Sequence, residues 1–264
     1  MSVRASYDLK IDRAEHHLND LNRRIDRWAA RKPYKVTSGR EGQSDRARIV
    51  HRFVFTRQPP ESVAVIAGDF LYNLRSALDH LASALVPSQN RSRTYFPILW
   101  QGVWEPGIKG EDRQRTDDRL KWITFTQGMD PAAVAVLKRN QPPDLGRDVN
   151  NPHPLSILNR LRNRDTHQRL VATATSLRGF MGTGEMPDGS IYRSRPLDFN
   201  EGPEDGAILG LPSEVVNVKI DGTPLVLLSI GDPPLSMSVQ DLFRGDLLIP
   251  TRNLVDRLRQ FDRL

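Results

Sequence analysis

Hydrophobic positions along the chain follow a helical period first and a strand period later. Tyr7, Ile11, Ala14, Leu18, Leu21, Ile25 and Trp28 recur at spacings of four and three. This heptad seam predicts a helix of about 24 residues, ended by Lys32-Pro33. So narrow a stripe suits an antiparallel helix pair or the edge of a bundle. From Arg48 the sequence turns β-branched and aromatic, with Ile49, His51, Phe53 and Phe55 on one side, so one early strand is expected within residues 46–57. Pro59-Pro60 stops it, and Glu61 opens a second helix running to Val86. Val63, Ile66, Phe70, Leu74, Ala77, Leu78, Leu81 and Leu85 form its apolar face. Its other face carries Asp69, Tyr72, Asn73, Arg75, Ser76, Asp79 and His80.

Residues 88–118 are polar and rich in turn formers, apart from an apolar island from Tyr95 to Trp100 that is expected to pack on the core. Asp130-Pro131 is a helix start, a capping carboxylate followed by proline at the first helical position, for a short helix to Arg139 that Gln141-Pro142-Pro143 ends. Another helix begins near Pro154 with Leu155, Leu158 and Leu161 on its apolar side. After residue 170 the period becomes two. Leu170–Phe180, Ser190–Pro196, Ala207–Leu211, Val215–Ile220 and Leu225–Ile230 read as strands, with Asp221-Gly222 as a hairpin turn and residues 182–206 as a loop. Leu254, Val255, Leu258 and Phe261 mark a last helix. The expected fold class is α+β: a helical bundle core of long antiparallel helices, an antiparallel β meander and a C-terminal helix. Residues 1–170 would form the bundle, and 171–264 the meander and last helix, packed on it as one compact unit.

Composition removes several chemistries. The 264 residues include no cysteine, so disulfides, thiolate zinc sites and a cysteine nucleophile are excluded. No apolar run approaches the roughly 20 residues of a membrane span, and the N-terminus lacks the apolar stretch of a secretion signal. A cytoplasmic protein without a membrane partner is expected. Of the 38 basic side chains 31 are arginines, against 32 acidic residues. Guanidinium forks suit phosphate, so RNA or a nucleotide is the partner that charge suggests. The two signs are nevertheless interleaved, as a GC-rich codon bias would also leave them.

The densest polar stretch is Asn159 to Arg169. An arginine and a histidine held together are the minimum kit for cleaving RNA without metal: imidazole moves the proton, and guanidinium neutralises charge developing on the phosphorane. Arg162 and His167 are five residues apart, about 140° around a straight helix, so they converge only if the helix kinks or begins between them, or across a dimer. Asn159, Asn163 and His167 do share a stripe, and Asn163 is the better placed to orient His167. The bland alternative is a helix end whose Asp165 and His167 bond to neighbouring helices. On the second helix Asp69, Asn73, Ser76 and His80 stack within one face, either as a polar network supporting that site or as a wet surface. Motifs for metal ligation, phosphate loops and serine nucleophiles are absent from the sequence, so neither metal nor cofactor is expected. Trp100, Trp104 and Trp122 offer a weaker idea, small-molecule binding between helices and strands.

Gly68-Asp69 through Asn73, Arg75, Leu78-Asp79-His80, then Tyr95-Phe96-Pro97-Ile98, Gln141-Pro142-Pro143 and Asn163 through His167 resemble, in that order, a family of uncharacterised bacterial and phage proteins. The resemblance covers about residues 5–170 and implies no activity; Thr166 stands where that family usually has lysine. More distantly, two long helices followed by Arg162-Asn163-x-x-x-His167 are similar to the HEPN superfamily of helical bundles. That likeness implies metal-independent RNA cleavage at a homodimer interface in a toxin or phage-defence setting. Arg162, Asn163 and His167 would be the catalytic set, with Asp69, Asn73, His80 and Asp165 in support. The β-rich third of this chain is a departure from the small helical HEPN domains. The competing reading is a non-catalytic helical binding or scaffold protein whose polar network is structural.

Overall fold

The computed structural model describes residues 4–42, 48–99, 113–143, 153–167, 170–194, 206, 208–209, 211–229 and 238–263. In chain order these form α1 (Ser6–Ala29), β1 (Tyr34–Glu41), β2 (Arg48–Phe55), α2 (Ser62–Leu85), a 3-10 turn (Ser88–Arg93), α3 (Arg113–Thr126), α4 (Pro131–Arg139) and α5 (Pro154–His167). Strands β3 (Val171–Glu185), β4 (Ile191–Arg193), β5 (Ile208–Leu209) and β6 (Val216–Ser229) follow. The chain closes with α6 (Val239–Asp241), a π-helical stretch (Leu242–Leu248), α7 (Ile249–Leu258) and a 3-10 turn (Arg259–Phe261). The fold is mixed α+β with antiparallel strands.

The heptad seam is buried at every position from Tyr7 to Trp28. Burial of seven apolar side chains on one face holds α1 far more strongly than its polar composition would. In α2 the whole apolar face is buried as the periodicity requires. Asp130 caps α4 as expected, its Oδ1 accepting from the Ala132 N–H at 2.7 Å.

Two compact units emerge: residues 1–20, 65–170 and 240–264, and residues 21–64 and 171–239. The first is helical. Phe70 of α2 stacks on Phe243 of the π-helical stretch with ring centroids 4.3 Å apart, and Tyr7 donates a hydrogen bond to Asp262 at 2.7 Å. Thus the C-terminal helix belongs with the helices, whereas the sequence reading grouped it with residues 171–264.

The second unit holds the strands. They form two three-stranded sheets, β1-β2-β5 and β4-β3-β6, in place of the expected single meander. Strand β1 had no sequence signal because most of its residues are exposed, which leaves no alternation to read. The early strand is β2, with His51, Phe53 and Phe55 buried and Phe53 packed edge-on against Phe55. Asp221-Gly222 is not a hairpin turn: β6 runs through it, opposite a register shift between Arg178 and Met181 of β3. A side chain at Gly222 would lie 3.1 Å from the Arg178 carbonyl, so glycine serves close strand approach here. Helix α3 was also unread: Trp122 is buried but Leu120 and Ile123 are exposed, and no amphipathic stripe results.

Candidate anion-binding cleft

The structure sorts the polar face of α2 into side chains committed to the fold and side chains facing a cleft. Asn73 is buried and donates to the Asp69 carbonyl of its own helix at 2.8 Å, so it acts locally. Further along the same helix, Arg75 and Asp79 form an ion pair at 3.1 Å. Together they clamp the backbone of Phe96: Arg75 Nη2 donates to its carbonyl at 2.8 Å, and Asp79 Oδ1 accepts its N–H at 3.0 Å. Phe96 is only 1% exposed, so this clamp satisfies both peptide groups of a core residue. Burial lowers the Arg75 pKa, and the Asp79 charge opposes that shift. Gln141 holds the same segment from just beyond the end of α4, accepting the Leu99 N–H at 2.8 Å and donating to the Leu137 carbonyl. The apolar island therefore does pack back on the helices as expected; Trp100 and Trp104 lie outside the described residues.

Beside this clamp a cleft of about 400 Å³ opens in the helical unit. Tyr72, Ser76 and His80 line it from α2, Arg91 and Ser92 from the 3-10 turn, Tyr95 from the segment after it, and Arg162 from α5. Arg75 and Asp79 form its floor and cancel each other's charge. Among the described residues neither Arg91 nor Arg162 is ion-paired, and Arg91 Nε is buried without an acceptor. A buried guanidinium N–H left without an acceptor costs about 1–3 kcal/mol. His80 Nδ1 lies 2.9 Å from Ser6 Oγ of α1, which fixes the ring. Tyr72 and Tyr95 are exposed at the rim, with Lys10 5.6 Å from the Tyr72 ring centroid and Tyr95 edge-on to Phe125.

Of the residues singled out in sequence, Arg162 and His80 meet in this cleft although they lie on different helices. Asn163 and His167 do not join them. Helix α5 is continuous to His167, and both side chains are exposed. Because Arg162 is turned toward α2, the 140° separation carries His167 away from it. Within one chain the set Arg162, Asn163 and His167 is therefore not assembled. Asp165, about 60° from Arg162 on the helix, also faces α2: its carboxylate oxygens lie 2.6 and 2.7 Å from where a side chain at Gly68 would begin. Burial raises the Asp165 pKa and Asp69 raises it further, while Arg162 works against both. Asp69 is itself exposed, and its charge also acts on His17, whose pKa burial lowers.

Arg91, Ser92 and Ser6 were missed in sequence, and Tyr95 was read only as part of the apolar island. Arg91 and Ser92 sit in a stretch that reads only as turn-rich and polar, and Ser6 reads only as the residue before the seam. Among the described residues no group of three or more histidine and carboxylate side chains could hold a metal ion, and no helix is long and apolar enough to cross a membrane. Comparison with protein-family models, with characterised proteins and with solved structures finds no match for this chain.

Proposed function

We propose that this protein binds RNA through the arginine-lined cleft and cleaves it without metal, as a HEPN-like endoribonuclease. The supporting observation is the pair Arg91 and Arg162: two guanidiniums, neither ion-paired among the described residues, line one cleft that His80 also lines. Guanidinium forks match phosphate bidentately, and they gain most where water is partly excluded. The exposed tyrosines at the rim offer faces on which unpaired bases stack. A cytoplasmic toxin or phage-defence role is part of the same proposal. Any contribution from His167 would come from a second copy of the chain, across the dimer that the proposal includes.

The experiment is incubation of a mixed RNA pool with the purified chain in EDTA, beside Arg162→Ala and His167→Ala. The proposal predicts cleavage in chelator, products ending in 2′,3′-cyclic phosphate, and loss in Arg162→Ala. Cleavage abolished by EDTA, or intact in Arg162→Ala, would refute it.

The scaffold reading has its own support. Asn73, Arg75, Asp79 and Gln141 all spend their polar groups on the protein's backbone or on each other. Under that reading RNA is not cut, and the chain serves to bind a protein or nucleic-acid partner.

A further inference from the structure

We infer that His80 is the proton-transfer group of the cleft and that Ser6 is its positioning residue, an assignment that rests on the RNA-cleaving reading above. Arg162 needs an imidazole within the same ligand volume, and among the described residues His80 is the histidine lining that cleft. The ring is anchored from a separate helix: Ser6, the first residue of α1, places Oγ 2.9 Å from His80 Nδ1. When Nδ1–H donates to Ser6 Oγ, the lone pair is on Nε2, the opposite edge of the ring. That is the arrangement a general base requires, an imidazole in one tautomer with its ring orientation set by a neighbour.

The step balances within the cleft. His80 Nε2 takes the proton of a ribose 2′-hydroxyl as O2′ forms its bond to phosphorus. Arg91 and Arg162 neutralise the non-bridging oxygens of the phosphorane. The bond from phosphorus to O5′ breaks, and the imidazolium gives its proton to the departing 5′-oxygen. The products are a 2′,3′-cyclic phosphate and a 5′-hydroxyl, and His80 returns to neutral. No redox partner or metal takes part in this step. Arg75 and Asp79 stay outside it, since their polar groups hold Phe96.

The test is cleavage kinetics in EDTA with a single-stranded RNA oligonucleotide of mixed sequence. The 264-residue chain is compared with His80→Gln, Ser6→Ala and Ser6→Thr. Binding is measured in parallel with the 2′-deoxy version of the oligonucleotide, which cannot cyclise. His80→Gln is expected to lose at least about a hundredfold in kcat while still binding the deoxy strand. Ser6→Ala is expected to lose about tenfold in kcat at unchanged KM, the scale of one neutral hydrogen bond, and Ser6→Thr to recover it. Should His80→Gln fail to fold, the His80 ring resonances in the unaltered chain serve instead, and they must shift when the deoxy strand is added. Cleavage by His80→Gln at the unaltered rate, ring resonances that do not move, or Ser6→Ala with unaltered kcat would overturn the assignment and leave the RNA reading standing. An unaltered chain that binds RNA without cutting it would also overturn the assignment. A chain that binds no RNA would overturn both.

Discussion

Arg162 shares its cleft with His80, on a helix far earlier in the chain, and not with His167, five residues along its own helix. The site that geometry assembles is thus built from α2, the 3-10 turn and α5, with the end of α5 outside it. Within one chain, packing brings to one cleft an arginine and a histidine that sequence spacing does not pair.

The Phe96 clamp makes a stability prediction. Asp79→Ala removes the acceptor of the Phe96 N–H and leaves Arg75, whose side chain is 18% exposed, without its carboxylate. Hydrogen bonds to charged groups and the penalty of an uncompensated charge put the loss at about 2–3 kcal/mol. Urea denaturation should show it as a lowered midpoint with little change in slope. A loss under about 0.5 kcal/mol would mean that the clamp is dispensable.

Gly68 and Asp165 are coupled. Alanine in a helix interior is worth about 1 kcal/mol over glycine, but at position 68 its Cβ would meet the Asp165 carboxylate at 2.6 Å. Gly68→Ala alone should therefore gain little. Made in an Asp165→Ala background, it should recover the helical preference, so the cycle is non-additive by several tenths of a kcal/mol. Additive changes would show that the carboxylate swings aside without cost.

Asp165 and His17 predict opposite pH effects. Burial first, then Asp69, holds the folded-state pKa of Asp165 above its unfolded value, so the folded form binds that proton more tightly. This contribution is fully present below the unfolded pKa and is lost as pH rises through the folded one. Asp165 keeps much of its surface in water, so Asp165→Asn should raise Tm only slightly at neutral pH and have a vanishing effect in acid below the ordinary carboxylate range. Burial lowers the His17 pKa, so its contribution is fully present above the unfolded value and is lost as pH falls toward the folded one. His17→Gln should flatten the decline in Tm on the acid side of the ordinary histidine range. Thermal melts across pH check both; a constant Asp165→Asn shift from acid to neutral pH contradicts the first.

The legible parts of this fold are those where one strong period acts alone. The α1 seam and the apolar face of α2 carry their burial in spacing, and Asp130-Pro131 carries a capping geometry that depends on neighbouring residues only. What was illegible depends on what a segment pairs with. β1 is defined by its pairing with β2, and β6 crosses Asp221-Gly222 because β3 lies alongside. The same holds for the site. The stripe of Asn159, Asn163 and His167 has correct helical spacing, yet Asn163 and His167 are exposed, since spacing says which residues share a face and not what that face meets. Arg91 carried no local signal, because an arginine in a polar turn is ordinary until α5 brings Arg162 to it.

If Arg91 and Arg162 hold RNA phosphate as proposed, salt-dependent binding of a single-stranded RNA oligonucleotide will register both contacts. The unaltered chain should bind with affinity that falls as salt rises. Arg91→Ala/Arg162→Ala should bind at least about tenfold more weakly, with the slope of log K against log salt reduced by about 1.4, two single-strand phosphate contacts. His167→Ala should bind like the unaltered chain. Equal affinity and slope for the double variant and the unaltered chain, or no binding by the unaltered chain, would rule out phosphate binding by these two arginines.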